Sequence, residues 1–146
     1  MPGSLKVVIN KCYGGFCLSH KALLWLHERK AKCIEILPIE EYYGKENKDR
    51  VKEAITEMKK YLKTGKCNGW DPPLTPDFKK VIMFKNRYEK GSRTDSVLVE
   101  CVETLKEEAN GDCAQLKIVE IPFNVLFQIE DFDGIEHVAQ QHQTWS

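Results

Sequence analysis

A chain of 146 residues with 42% apolar and 30% charged residues is long enough to bury a core of its own and too apolar for wholesale disorder. Lys+Arg and Asp+Glu balance at 22 each, which excludes whole-molecule attraction to nucleic acid or an anionic membrane and leaves room only for a local basic patch. No apolar run approaches the ~18 residues of a membrane span, and the first apolar run is only a strand long, unlike a signal peptide, so an intracellular chain is expected.

Leu5–Lys11 reads as a strand that runs into a tight glycine loop, Tyr13-Gly14-Gly15-Phe16. Ser19 then caps a helix over Ser19–Ala31 whose Ala22, Leu23 and Leu26 face inward. Lys32–Ile39 is a second strand, stopped by Pro38 and a Glu40-Glu41-Tyr42-Tyr43-Gly44 turn. The cleanest helical pattern follows, from about Asn47 to Lys63. Val51, Ala54, Ile55, Met58 and Leu62 make its apolar stripe, charge lies opposite, and Gly65 sits past the end.

An irregular segment, Gly65–Asp77, holds Trp70, Pro72, Pro73 and Pro76, and a loop of that length is usually functional, an interaction surface, or mobile. Lys79–Phe84 is a strand. A basic loop with Lys85, Arg87, Lys90 and Arg93 reads first as solvated, with Arg93 pairing locally with Asp95, and second as charge offered to a ligand; it leads to Thr94 or Asp95 as the cap of a third helix. That helix is expected to bury Leu98, Cys101, Val102, Leu105 and Ala109 and to end at Asn110-Gly111. Gln115–Ile121 and Val125–Glu130 read as strands, antiparallel to one another. Asp133 and Glu136 resemble a capping box opening a short last helix, with Ile135, Val138, His142 and Trp145 on one stripe. The early β-α-β alternation suggests parallel neighbours. The expected fold is α/β (or α+β), one domain with a mixed sheet of about five strands covered by about four helices.

Six cysteines (Cys12, Cys17, Cys33, Cys67, Cys101 and Cys113) form no C-x-x-C pair and no zinc-type cluster with histidine. They read as reduced structural thiols, and neither a metal nor a cofactor is expected. Cys12 and Cys17 flank the glycine loop near a helix N-terminus, which admits thiol chemistry there as a weaker alternative.

Cys12 to Ser19 has the spacing of a tyrosine-phosphatase loop, but Leu18 stands where the phosphate-binding Arg would be, and Leu supplies no charge to a transition state. The loop also lacks the Lys of a P-loop and the third Gly of a dinucleotide fold. Two readings of Gly14-Gly15 stay open: a plain strand-to-helix turn needing positive φ, or a backbone nest for a small anion. Residues placed to serve such a nest are Asn10, Tyr13, Gly14, Gly15, Ser19, His20, Arg93 and Asp95. No carboxylate is locatably paired with a histidine, so no catalytic residue is assigned.

Ile9-Asn10-Lys11-Cys12-Tyr13-Gly14-Gly15-Phe16-Cys17-Leu18-Ser19, taken with Arg93-Thr94-Asp95, Leu116–Pro122, Asp133-Gly134-Ile135-Glu136, His142 and Trp145, resembles a family of small uncharacterised proteins of tailed phages and large DNA viruses. The resemblance spans both ends of the chain, excludes the Trp70 segment, and implies a viral setting (host cytoplasm or virion) without implying a reaction. Where the family pattern is acidic after Ile121-Pro122, this chain has Phe123-Asn124 and Leu126-Phe127, which points to a partner-facing surface. The leading expectation is therefore a non-catalytic protein that binds a virion component or host factor, with no membrane and little role for nucleic acid. The alternative is a domain that binds or processes a nucleotide or other phosphate compound at Gly14-Gly15.

Overall fold

Residues 4–12, 15–66, 71–85, 90–111, 114–122 and 126–140 are described in a computed structural model. In order these form β1 (Ser4–Asn10), α1 (His20–Glu28), β2 (Ile34–Pro38), α2 (Ile39–Tyr43), α3 (Lys48–Thr64), β3 (Lys80–Phe84), α4 (Lys90–Arg93), α5 (Ser96–Leu105), a 3-10 turn (Lys106–Ala109), β4 (Leu116–Pro122), β5 (Phe127–Phe132) and β6 (Ile135–Gln140). The architecture is α+β. Among the described residues six strands make three two-stranded antiparallel sheets, β1-β4, β2-β3 and β5-β6.

Alternation along β1 builds the middle of the molecule. Val7 pairs with Val119 and Leu5 with Ile121 on one face, while Val8 pairs with Ile118 on the other. Val8, Leu116 and Ile118 join the main core with Leu23 and Leu26 of α1 and Leu98, Cys101 and Val102 of α5. Val7 and Ile9 face the opposite way, onto Phe127, Ile129 and Val138 of the β5-β6 hairpin. The β2-β3 sheet divides similarly. Ile34, Ile82 and Phe84 belong to the main core, whereas Leu37, Val81 and Met83 cover Ala54 and Met58 of α3.

No parallel pair occurs among the described residues. α1 does not return the chain to a neighbouring strand: it packs on α5 and on the β2-β3 sheet, while α5 packs on β1 and β4, and each flanking strand takes an antiparallel partner. β4 and β5 are likewise not paired with each other: β4 completes the sheet with β1, and β5 pairs with β6. The segment expected as a last helix is strand β6. Asp133 (φ 53°) and Gly134 (φ 89°) form the two-residue turn between Phe132 and Ile135, and two successive positive-φ residues are what a tight hairpin requires. His142 and Trp145 lie outside the described residues.

Glu40 to Tyr43 lie in the short helix α2, not a turn. Leu62 is 59% exposed because it falls in the last turns of α3, past the cluster around Ala54 and Met58. Of the Gly65–Asp77 segment, Trp70 lies outside the described residues. Leu74 forms a bridge with Val81, and the Ile82 N–H donates to the Pro73 carbonyl, so its second half lies along β3.

Candidate functional site

β1 ends in Asn10, which is fully buried and whose side chain serves four backbone groups. Its Oδ1 accepts from the N–H of Gln115 (2.8 Å) and of Cys12 (3.4 Å), and its Nδ2 donates to the carbonyls of Cys12 (2.6 Å) and Gly134 (2.7 Å). The Asn10 backbone N–H donates to Glu136 Oε1 at 2.8 Å. One asparagine thereby joins the strand end, the start of β4 and the hairpin turn.

Arg93 arrives from the last position of α4, two residues ahead of the α5 cap. Only 1% exposed, it faces Glu136, which is 3% exposed. Arg93 Nη1 donates to Glu136 Oε1 (2.7 Å) and to the Val8 carbonyl (3.1 Å), and Nη2 donates to Glu136 Oε2 (2.6 Å). The guanidinium carbon also lies 3.7 Å from the centre of the Phe16 ring. A planar cation suits both contacts, a two-pronged carboxylate and an aromatic face. The charges of this buried pair are met from three directions, as such a pair needs in order to persist.

The loop after Phe16 is strapped to the end of the 3-10 turn that follows α5. Leu18 forms a bridge with Asn110, the Gly111 N–H donates to the Cys17 carbonyl, and the Ser19 N–H donates to the Ala109 carbonyl. A Cβ at Gly111 would sit 2.5 Å from Cys17 Sγ, so glycine there is a condition of the strap. Ser19 caps α1, its Oγ accepting from the Ala22 N–H (3.1 Å) and donating to the Glu108 carbonyl (2.6 Å). Gly15 has φ 92°, the left-handed backbone that glycine supplies without strain.

The sequence-predicted residues thus separate. Asn10 and Arg93 come together with Phe16 and Glu136. Gly15 and Ser19 shape the loop and its exit. His20 takes a different neighbour, its ring 5.3 Å from that of Tyr61 on α3. Asp95 caps α5 by accepting from the Val97 N–H at 2.8 Å. Burial, with the Asp95 carboxylate beside it, pushes the Cys33 thiol up from 9.0 to about 12. Tyr13 and Gly14 lie outside the described residues.

Glu136 is the member that sequence reasoning assigned elsewhere, as a capping acid. The Asp133-Gly134 pair between alternating segments signals a hairpin. In that register Glu136 falls on the face of Val138 and Ile129, where a buried carboxylate demands a cation.

A second polar cluster joins α2 and α3 to Asp71. Asp71, 5% exposed, accepts from the Tyr43 hydroxyl (2.7 Å) and from Arg50 Nη2 (3.0 Å). Burial first, then the bond to Asp71, raises the Tyr43 hydroxyl well above its ordinary value. An open cavity of about 320 Å³ is lined by His27, Ile36, Thr75, Pro76, Asp77 and Lys80, none of them from the glycine loop. Among the described residues no three His, Cys, Asp or Glu side chains gather as metal ligands would, and no helix is long and apolar enough to cross a membrane.

No protein-family model matches this chain, and neither a curated protein nor a solved structure matches it.

Proposed function

We propose that this chain acts by binding, without chemistry of its own, as a virion component or a ligand of a host protein, and that the β5-β6 hairpin carries the contact. The observation behind this reading is the hairpin's outward face. Phe127 and Ile129 turn inward to β1, whereas Leu126 and Phe132, on the alternate side, are 56% and 77% exposed. A large aromatic held open on a rigid element is the kind of group that anchors a protein interface. The viral setting rests on the Ile9–Ser19 motif. The polar groups of Asn10, Arg93 and Glu136, bonded to one another and to backbone, support a role for the motif in holding the hairpin in place.

Affinity capture from virion and host extracts tests the reading. A genuine partner should be retained by the wild type and by Tyr42→Ser, and lost from the double variant Leu126→Ser/Phe132→Ser. Retention by the double variant would refute the assignment of the surface. A parallel thermal-shift panel of inorganic phosphate and nucleoside phosphates should show no stabilisation. A ligand at a hundredfold its Kd adds about 2.7 kcal/mol, so a shift lost on Gly15→Val would favour the small phosphate ligand at Gly14-Gly15 instead.

A further inference from the structure

Charge on the neutral chain is sorted by position along α3. Lys48, Lys52, Lys59 and Lys63 recur at i, i+4, i+11 and i+15, which places them within a sector of about 60° and along about 22 Å of helix. All four are exposed. The acids Asp49, Glu53 and Glu57 fall in the adjoining sector. Among the described residues the ion pairs of α3 run from Arg50, to Glu53 and Asp71, leaving the four lysines without a carboxylate partner. Lys60 and Lys66 lie near the same end, and Lys59–Lys66 carries no acid.

We infer that this lysine stripe is a docking surface for the phosphate backbone of nucleic acid. Its shape selects that occupant. Most of the apolar side of α3 is spent on the core around Ala54 and Met58, and the one large apolar side chain left open on it, Leu62, is too little surface to insert into a bilayer. A flat anionic surface would also meet the acidic stripe alongside, whereas a narrow chain of phosphates running along the helix meets lysines alone. Steps of about 6 Å and 10.5 Å between the lysines are compatible with successive phosphates on a flexible strand. This contact is electrostatic and independent of base sequence.

Fluorescence anisotropy with a labelled oligonucleotide of roughly 20 residues, single-stranded and duplex, in about 50 mM salt, tests the inference with protein up to about 100 μM, the weak end of non-specific affinities. Four released counterions predict a log–log salt slope of about −3.6 on duplex and about −2.8 on single strand. Raising salt to about 200 mM should then weaken duplex binding on the order of 150-fold. The triple variant Lys52→Glu/Lys59→Glu/Lys63→Glu should lose binding, while Lys32→Glu/Lys117→Glu, which changes exposed lysines elsewhere, should retain it. Circular dichroism should show both variants melting as the wild type does. No binding in low salt, or equal binding by the triple variant, would overturn the inference. So would capture by phosphatidylserine vesicles in place of the oligonucleotides.

Discussion

Arg93→Met is the perturbation with the largest expected effect on this protein. The variant keeps length and apolar volume but removes the two short bonds to Glu136, the bond to the Val8 carbonyl and the cation over Phe16. Glu136, 3% exposed, is left with the Asn10 N–H as its described partner. Removing one member of a buried ion pair costs about 3–5 kcal/mol, because the remaining charge keeps its desolvation penalty and loses its compensation. Against a total stability of about 5–15 kcal/mol for an ordinary domain, that is a large fraction. Urea unfolding should show the loss as a lower midpoint at unchanged slope. Adding Glu136→Leu should recover stability, since the stranded charge goes with it, so the double variant should be more stable than Arg93→Met alone. A loss below about 1 kcal/mol, the scale of a solvated surface pair, would refute the buried pair, as would plain additivity of the two substitutions.

Further outcomes follow from local geometry. Burial raises the Cys33 and Cys101 thiols from 9.0 to about 12, so a thiol reagent at neutral pH should modify the accessible Cys12 and Cys17 and spare this pair until the protein unfolds. Because the same thiols ionise near 9.0 once unfolded, the unfolded state binds fewer protons between about pH 9 and 12, and stability should fall as pH rises through that window; urea midpoints against pH should show a shallower fall in Cys101→Ala. Ser19→Ala should cost about 1–2 kcal/mol in the same assay, through loss of the α1 cap and of the bond to Glu108. Gly111→Ala, whose Cβ would meet Cys17 Sγ at 2.5 Å and its carbonyl carbon at 2.9 Å, should cost about 1–3 kcal/mol by overpacking. Gly65→Ala, open in space but at φ 75°, should cost nearer about 1 kcal/mol.

Much of the local structure was legible because it is written in short-range pattern. The apolar triplet Val7-Val8-Ile9 marked β1, Ser19 marked the cap of α1, Thr94 or Asp95 marked that of α5, which Asp95 forms, and the stripe of Val51, Ala54 and Met58 marked α3. Strand partnership was not legible, because it depends on how α1 and α5 pack against the sheets rather than on any local sequence. The last segment was misassigned for a chemical reason: Asp133 and Glu136 suit a capping box, yet Asp133-Gly134 suits a hairpin turn, and pairing with β5 decides between them. Arg93 was recognisable as important while its role was not. A loop arginine two residues before an acid reads as a solvated partner of Asp95, or as a ligand group, until the strand that brings Glu136 to it is known.

Amide hydrogen exchange across the hairpin tests the central claim most directly: the motif residues serve to hold β5-β6 on β1. In Glu136→Gln the carboxylate that joins Arg93 to the Asn10 N–H loses its charge, and hydrogen bonds to charged groups contribute about 1.5–3 kcal/mol. Exchange in Phe127–Gln140 should therefore accelerate by roughly tenfold to a hundredfold, while the centre of the β1-β4 ladder around Val7 and Val119 keeps its protection. Unchanged hairpin exchange in the variant, or a hairpin already unprotected in the wild type, would contradict the account.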